Sequence, residues 1–475
     1  MSDEIWRWDA SEIAQAIRNG AISAREAVDA CLARMVAVNP RLNAVTVDLS
    51  ASARDEAGRA DQAVARGEPL GPLHGVPVTI KENVDQKGCA TTNGVVAFRD
   101  LIATDDSPVV ANWKRAGAIV VGRTNTPAFS FRLDTVNDLR GRTFNPWSTL
   151  HTPGGSSGGA SASVAAGITP LAHGNDIAGS VRYPAYACGL VGLRPSFGRV
   201  PAFNPSAASE RSMSSQLMSV QGPLARSVRD VRLGLAAMAV RDARDPWWCP
   251  APLEGDAPTR PLRIAVVRDP GKLAGAALAP AIDRALTQAT SWLTEAGYEI
   301  RDDASPGFTR AFELWFDLQM PEFAEFMQPQ IEAHGDEGIR TAVRYMLANV
   351  AGRSPLPYMR ALAERTRLVR EWNRFMEDVP LVLTAVCSEP VYRQGFDVES
   401  AARTAAMWRE CATMMAVPVL GLPAIAVPTG VADGLPLGVQ IVGPRFREDL
   451  CLAAAEVIEA RARAAGPLTP LDPRA

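Results

Sequence analysis

The chain has 475 residues, with 49 Lys and Arg against 52 Asp and Glu and a net charge of −3. Apolar residues make up 47% and charged residues 21%, which is ordinary globular usage. This balance excludes a disordered chain, a collagen, a coiled coil and a basic nucleic-acid binder. At roughly 150 residues per domain, length alone allows about three domains, and a chain this long can bury a large core without staples.

The N-terminal stretch reads as helix. Ser23 is placed as an N-cap with Glu26 three residues on, a capping box, and Ala27, Val28, Cys31, Leu32, Met35 and Val36 recur at helical spacing. A second helix is expected over 51–66, stopped by Gly67. Strands follow at 76–80 and 118–122, separated by a helix that Ser107 and Pro108 open and Gly117 ends. Beyond a segment dense in Gly, Ala and Ser at 150–204, a helix is expected after Arg226-Ser227, running to about Val240. A Pro-rich surface loop follows at 245–261. The strand–helix–strand alternation returns at 262–267, 279–296 and 298–300. Residues 308–372 read as mostly helical, 379–386 and 437–442 as buried strands, and 447–463 as a last helix. Strands alternating with helices imply an α/β or α+β protein with a covered sheet.

Seven cysteines (Cys31, Cys89, Cys188, Cys249, Cys387, Cys411 and Cys451) form no C-x-x-C pair, and none stands beside a His at metal-ligand spacing. Neither a disulfide framework nor a zinc site is expected, and a reducing cytoplasm is the natural setting. The acidic start lacks the pattern of a signal peptide, and no 18-residue apolar run marks a membrane span. Only four His exist, at 74, 151, 173 and 334, so a mechanism needing a His base has few places to go.

Chemistry concentrates in Thr152-Pro-Gly-Gly-Ser-Ser-Gly-Gly159 and Asn175-Asp-Ile-Ala-Gly-Ser-Val-Arg182. A phosphate loop would need Gly-Lys-Ser/Thr to follow the first block, and it does not. An α/β-hydrolase elbow fits Gly154-Gly-Ser156-Ser-Gly158, but turn-like Leu150-His-Thr-Pro precedes it where a strand should stand. Tight helix–sheet packing by small residues is the plainest reading of the block taken alone. Ser180 stands after Gly179 at the expected start of a helix, where unpaired N–H groups could stabilise an anion. Lys81 ends an apolar strand, where partial desolvation lowers its pKa and frees a neutral amine to act as base.

Lys81, the Gly-Gly-Ser-Ser-Gly-Gly block and Asp176–Arg182 together resemble the amidase signature family. Gly71-Pro-Leu-His-Gly-Val-Pro77, Gly122-Arg-Thr-Asn-Thr-Pro127, residues 188–200 and 222–230, Gly421–Pro428 and Gly434–Gly443 extend the likeness, which is weakest over 245–410. The resemblance implies one α/β domain over 1–475, a large mixed β-sheet covered by helices on both faces. It would comprise a helical arm at about 1–70, a catalytic core at 71–240, a variable helical substrate region at 241–410 and a core return at 411–475.

It also implies a Ser–cis-Ser–Lys triad. Ser180 is the nucleophile, Ser156 the bridging serine after a cis peptide from Gly155, and Lys81 the base. Backbone N–H groups of Ile177, Ala178, Gly179 and Ser180 form the oxyanion hole. Gly155, Ser157, Asp176 and Arg182 support the site from behind, and no metal or cofactor is required. One departure stands out: the family commonly has Gly where this chain has Ala178, whose methyl excludes glycine-only angles.

For the substrate, Phe203 and Met213 in the loop 201–221, and Trp315, Phe316 and Met320 on the stripe 308–327, are candidates for an apolar pocket. Core packing competes for the stripe. The expected substrate is a neutral, rather hydrophobic amide, anilide or carbamate, with no nucleic-acid or membrane partner. Homodimers are common in the family. The competing reading is one chain of a glutamine-dependent amidotransferase, working with partner chains on a charged tRNA. A catalytically dead binding protein is disfavoured by the complete triad.

Overall fold

The computed structural model describes residues 2–258, 261–302, 305–351, 354, 356–466 and 472–473. Parts of the expected loop 245–261, of the helical stretch 308–372 and of the C-terminal return, at 259–260, 352–353, 355, 467–471 and 474–475, lie outside the described residues.

Eleven strands among the described residues form one mixed sheet. In chain order they are β1 (Val45–Asp48), β2 (Pro77–Lys81), β3 (Ile119–Thr124), β4 (Leu171–Asp176), β5 (Val191–Arg194), β6 (Val220–Ala225), β7 (Arg263–Val266), β8 (Glu299–Asp302), β9 (Leu381–Ala385), β10 (Ala424–Ala432) and β11 (Leu435–Val442). Their spatial order is β1-β3-β2-β4-β6-β5-β10-β11-β9-β7-β8. β2 runs parallel to β3 and β4, and β7 runs parallel to β8 and β9. The other neighbours are antiparallel. A two-stranded ribbon, Val136–Asn137 with Gly141–Arg142, stands apart.

The capping box at Ser23 and Glu26 is formed, and the helix it opens runs Ala24–Leu42. The helices expected at 51–66, 279–296 and 447–463 are Ser50–Ala65, Pro280–Glu295 and Glu448–Ala465. Periodicity did not reveal β1, β4, β5, β6 or β10. β4 reads Leu-Ala-His-Gly-Asn-Asp, with one branched aliphatic and three residues that strands usually avoid. It forms a strand because β2 and β6 pair with it on either side. Tertiary context overrides propensity here.

Apolar side chains gather along the sheet and in a second cluster between the helices Thr309–Glu322, Tyr358–Asp378 and Ala412–Leu420. The helix Gly158–Ala165 is buried at every position, and its Gly, Ala and Ser side chains let it lie close against the sheet. Among the described residues, no helix is long and apolar enough to cross a membrane.

The C-terminal helix is held to the segment after β5 by a buried ion pair. Glu448 accepts from Arg199 Nη2 at 2.8 Å and from the Ser196 N–H at 2.8 Å. Both side chains are almost wholly buried. Removing one partner of such a pair strands the other charge in a low-dielectric interior. Glu448→Ala is expected to cost about 3–5 kcal/mol in urea unfolding. A loss under about 1 kcal/mol would show that the pair does not anchor this helix.

Candidate active site

Parallel pairing of β2 and β4 brings the ends of two strands side by side. Lys81 is the last residue of β2, and Asn175 and Asp176 end β4. Between them lies the glycine-rich turn that opens the helix Gly158–Ala165. The Gly155–Ser156 peptide there is cis. Gly155 fits because a Cβ would stand 2.5 Å from the Arg132 carbonyl oxygen.

Lys81 is fully buried. Its Nζ bonds Ser156 Oγ at 2.7 Å, Ser157 Oγ at 3.1 Å and Asn175 Oδ1 at 2.7 Å. All three partners are neutral. Burial pulls the lysine pKa well below its ordinary 10.5, against an upward pull from the charge of Asp176.

Asp176 is directed elsewhere. Arg182 grips its carboxylate through Nε at 3.0 Å and Nη2 at 2.9 Å, and Arg194 Nη1 bonds its main-chain oxygen at 2.5 Å. Burial pushes this carboxyl up, but the guanidinium of Arg182, then Arg194 and the Gly179 N–H, outweigh it and hold the acid below the ordinary carboxylate range. Arg182 also donates to Gln440 Oε1 and to the Met414 carbonyl, both at 2.6 Å. It is buried away from the cleft, so its contribution is to hold the Ser180 loop.

That loop corrects one expectation. Gly179 N–H already donates to Asp176 Oδ1 at 3.0 Å. Of the four expected oxyanion donors, Ile177, Ala178 and Ser180 are the ones whose N–H groups take no acceptor among the described residues. The departure at 178 also finds its reason. The left-handed conformation falls on Gly179, at φ +100°, where a Cβ would stand 2.5 Å from Met414 Sδ. Ala178 has no left-handed φ and tolerates its methyl. Ser156 and Ser180 line one cleft, without a hydrogen bond between their hydroxyls.

His173 sits beneath the site on β4. Its Nδ1 accepts from the Lys81 N–H at 3.4 Å, and its Nε2 bonds Gln221 Oε1 at 2.8 Å. Burial pulls its pKa down to about 3, so it stays neutral and locked. With both nitrogens committed away from the serines, His173 cannot be the base of a hydrolase elbow.

The cleft measures about 810 Å³. Of the five expected pocket residues, Phe203 lines it and four do not. Met213 is 43% exposed at the start of the helix Met213–Met218. Trp315 and Phe316 are core residues packed on Trp408, because the apolar stripe of their helix faces inward. Trp315 touches the site only from behind, donating Nε1 to the Ile177 carbonyl at 3.2 Å. Met320 packs against the same cluster.

The walls come instead from Asn83, Phe129, Phe131, Trp247, Gln319 and Met327, among others. Phe129 and Ser130 both have positive φ, and Ser130 is pinned by Asn83, Asn93 and Thr126. Gln319 carried a sequence signal: it is a polar residue on the inward face of an amphipathic helix.

An Amidase family profile matches residues 26–452. An indoleacetamide hydrolase from Bradyrhizobium diazoefficiens is 47% identical, over 96% of this chain and 87% of that protein. A glutamyl-tRNA(Gln) amidotransferase chain from Moorella thermoacetica is 31% identical, over 96% and 97%. The solved structure of a 6-aminohexanoate cyclic dimer hydrolase with its substrate superposes with a TM-score of 0.80 at 28% identity, covering 98% of this chain and 99% of that one. With the signature motifs converging on one cleft, these likenesses show that the chain belongs to the amidase family and is a hydrolase of carbon–nitrogen bonds in linear amides.

Proposed function

We propose that the chain hydrolyses the primary amide of an arylacetamide, such as indole-3-acetamide, through an acyl-enzyme on Ser180. The observation that carries this reading is a buried lysine bonded to Ser156 at the floor of a cleft with Phe129, Phe131, Phe203 and Trp247 in its walls. The 47% identity to an indoleacetamide hydrolase supports the arylacetamide, against 31% for the amidotransferase chain. Turnover by the purified chain alone would separate the two.

Neutral Lys81 carries two N–H bonds and one lone pair. Asn175 Oδ1 and Ser157 Oγ accept the two N–H bonds, which leaves the lone pair facing Ser156. Ser156 passes its proton to Lys81 and takes the proton of Ser180 as Ser180 Oγ attacks the amide carbon. The N–H groups of Ile177, Ala178 and Ser180 receive the oxyanion. The proton then returns through Ser156 to the leaving nitrogen and ammonia departs. Water, activated by the same relay, releases the arylacetate. Apo hydroxyls not yet in contact are ordinary for such a relay, because catalytic hydrogen bonds tighten when substrate binds.

Ser180→Ala and Lys81→Ala are each expected to lower kcat on indole-3-acetamide at least about 10³-fold, with thermal melting of the serine variant little changed. Near-native turnover by either would refute the relay. A mild effect at Lys81 alone would point to a different base.

Activity needs the neutral amine, so kcat/KM is expected to rise with pH and level off below pH 10.5, the ordinary lysine value. Asn175→Asp places a carboxylate on the ammonium, favours the charged form and moves that limb to higher pH. A limb unmoved by this variant would mean that Lys81 does not control it.

A further inference from the structure

Given the arylacetamide reading, we propose that Gln319 selects substrates whose ring carries an N–H donor. Gln319 lies on the helix Thr309–Glu322, lines the cleft and is only 6% exposed. A chain of hydrogen bonds behind it determines which way its amide points. Glu322 accepts from the Ser214 N–H at 2.9 Å, from the Ser214 hydroxyl and from the Tyr358 hydroxyl. The Ser214 proton is therefore committed to Glu322, and Ser214 Oγ can only accept. Gln319 Nε2 supplies that hydrogen bond at 2.8 Å. The amide cannot flip without setting two acceptors against each other, so Oε1 is left over. Oε1 takes no partner among the described residues and is not sealed off, which leaves it open to the cleft.

The other carboxamide oxygens along the cleft are taken or closed. Asn93 accepts from Ser130, Asn175 from Lys81, and Asn204 from the Asp85 N–H. Gln216 accepts from the Trp247 indole and Gln221 from His173. Asn83 Oδ1 is unpartnered but buried out of reach. Serine hydroxyls in the walls do not discriminate, because a hydroxyl rotates to donate or to accept. Gln319 Oε1 is locked as an acceptor. A ring N–H satisfies it, whereas a ring oxygen leaves it buried and unpaired, or forces a repulsion.

The test compares indole-3-acetamide with benzofuran-3-acetamide, which replaces the N–H by oxygen in nearly the same shape. The purified enzyme is expected to prefer the indole by roughly 10- to 100-fold in kcat/KM. In Gln319→Met the ratio is expected to fall to about one, the indole rate dropping at least about tenfold further than the benzofuran rate. Ser214→Ala, which unlocks the amide without removing it, is expected to lower the same ratio. This second variant keeps the test decisive if Gln319→Met fails to fold.

A wild-type ratio near one, or a ratio that survives in the variants, overturns the assignment while leaving arylacetamide hydrolysis standing. Failure of the wild type on both substrates overturns the arylacetamide reading and this assignment with it.

Discussion

At the end of β2 a lysine is removed from water without being given a carboxylate to hold. A buried ammonium without an ionic partner is costly, and the neutral amine escapes most of that cost. Ser156, Ser157 and Asn175 supply neutral hydrogen-bond partners at 2.7–3.1 Å, which suit an uncharged amine. Among the described residues the acid that pulls on it, Asp176, is tied to Arg182 and supported by Arg194. Had that carboxylate faced Lys81, it would have held the ammonium charged and the proposed relay would have had no acceptor.

The same Asp176–Arg182 pair shapes the loop that carries Ser180. Asp176 takes the N–H groups of Gly179 and Val181, which bends the chain around Ser180. Arg182 continues the connection to Met414 and Gln440, more than 200 residues away in sequence. Met414 in turn packs where a side chain on Gly179 would stand. The unpartnered N–H groups of Ile177, Ala178 and Ser180 are thus set by contacts from the C-terminal half, and the Arg199–Glu448 pair holds the last helix to the segment after β5. Buried pairs of this kind are weak evidence for stability, but breaking one is severe, so they act here as positioning devices.

Lys81, Ser156 and Ser180, the positions of the proposed triad, stood out in the sequence because each sits in a motif with its own backbone demand. The pocket was not. Trp315, Phe316 and Met320 form a stripe at helical spacing, and such a stripe packs against whatever its helix lies on, here Trp408 and the second core cluster. The walls are assembled from segments far apart in the chain, and no local pattern connects Asn83, Phe131, Trp247 and Gln319. β4 was missed for a related reason. Its Gly, Asn and Asp serve the site rather than the strand, and two neighbouring strands impose the extended form.

The charge state of Lys81 is the centre of this account, and the composition makes it directly measurable. The chain has four lysines, Lys81, Lys87, Lys114 and Lys272. Nζ resonances from ¹⁵N-labelled lysine can therefore be assigned with single variants and followed against pH. Lys81 Nζ is expected to titrate well below the ordinary lysine value of 10.5 and to be neutral where the enzyme is active. A Lys81 resonance that titrates at the ordinary lysine value, or stays protonated throughout the active range, would contradict a neutral Lys81 base.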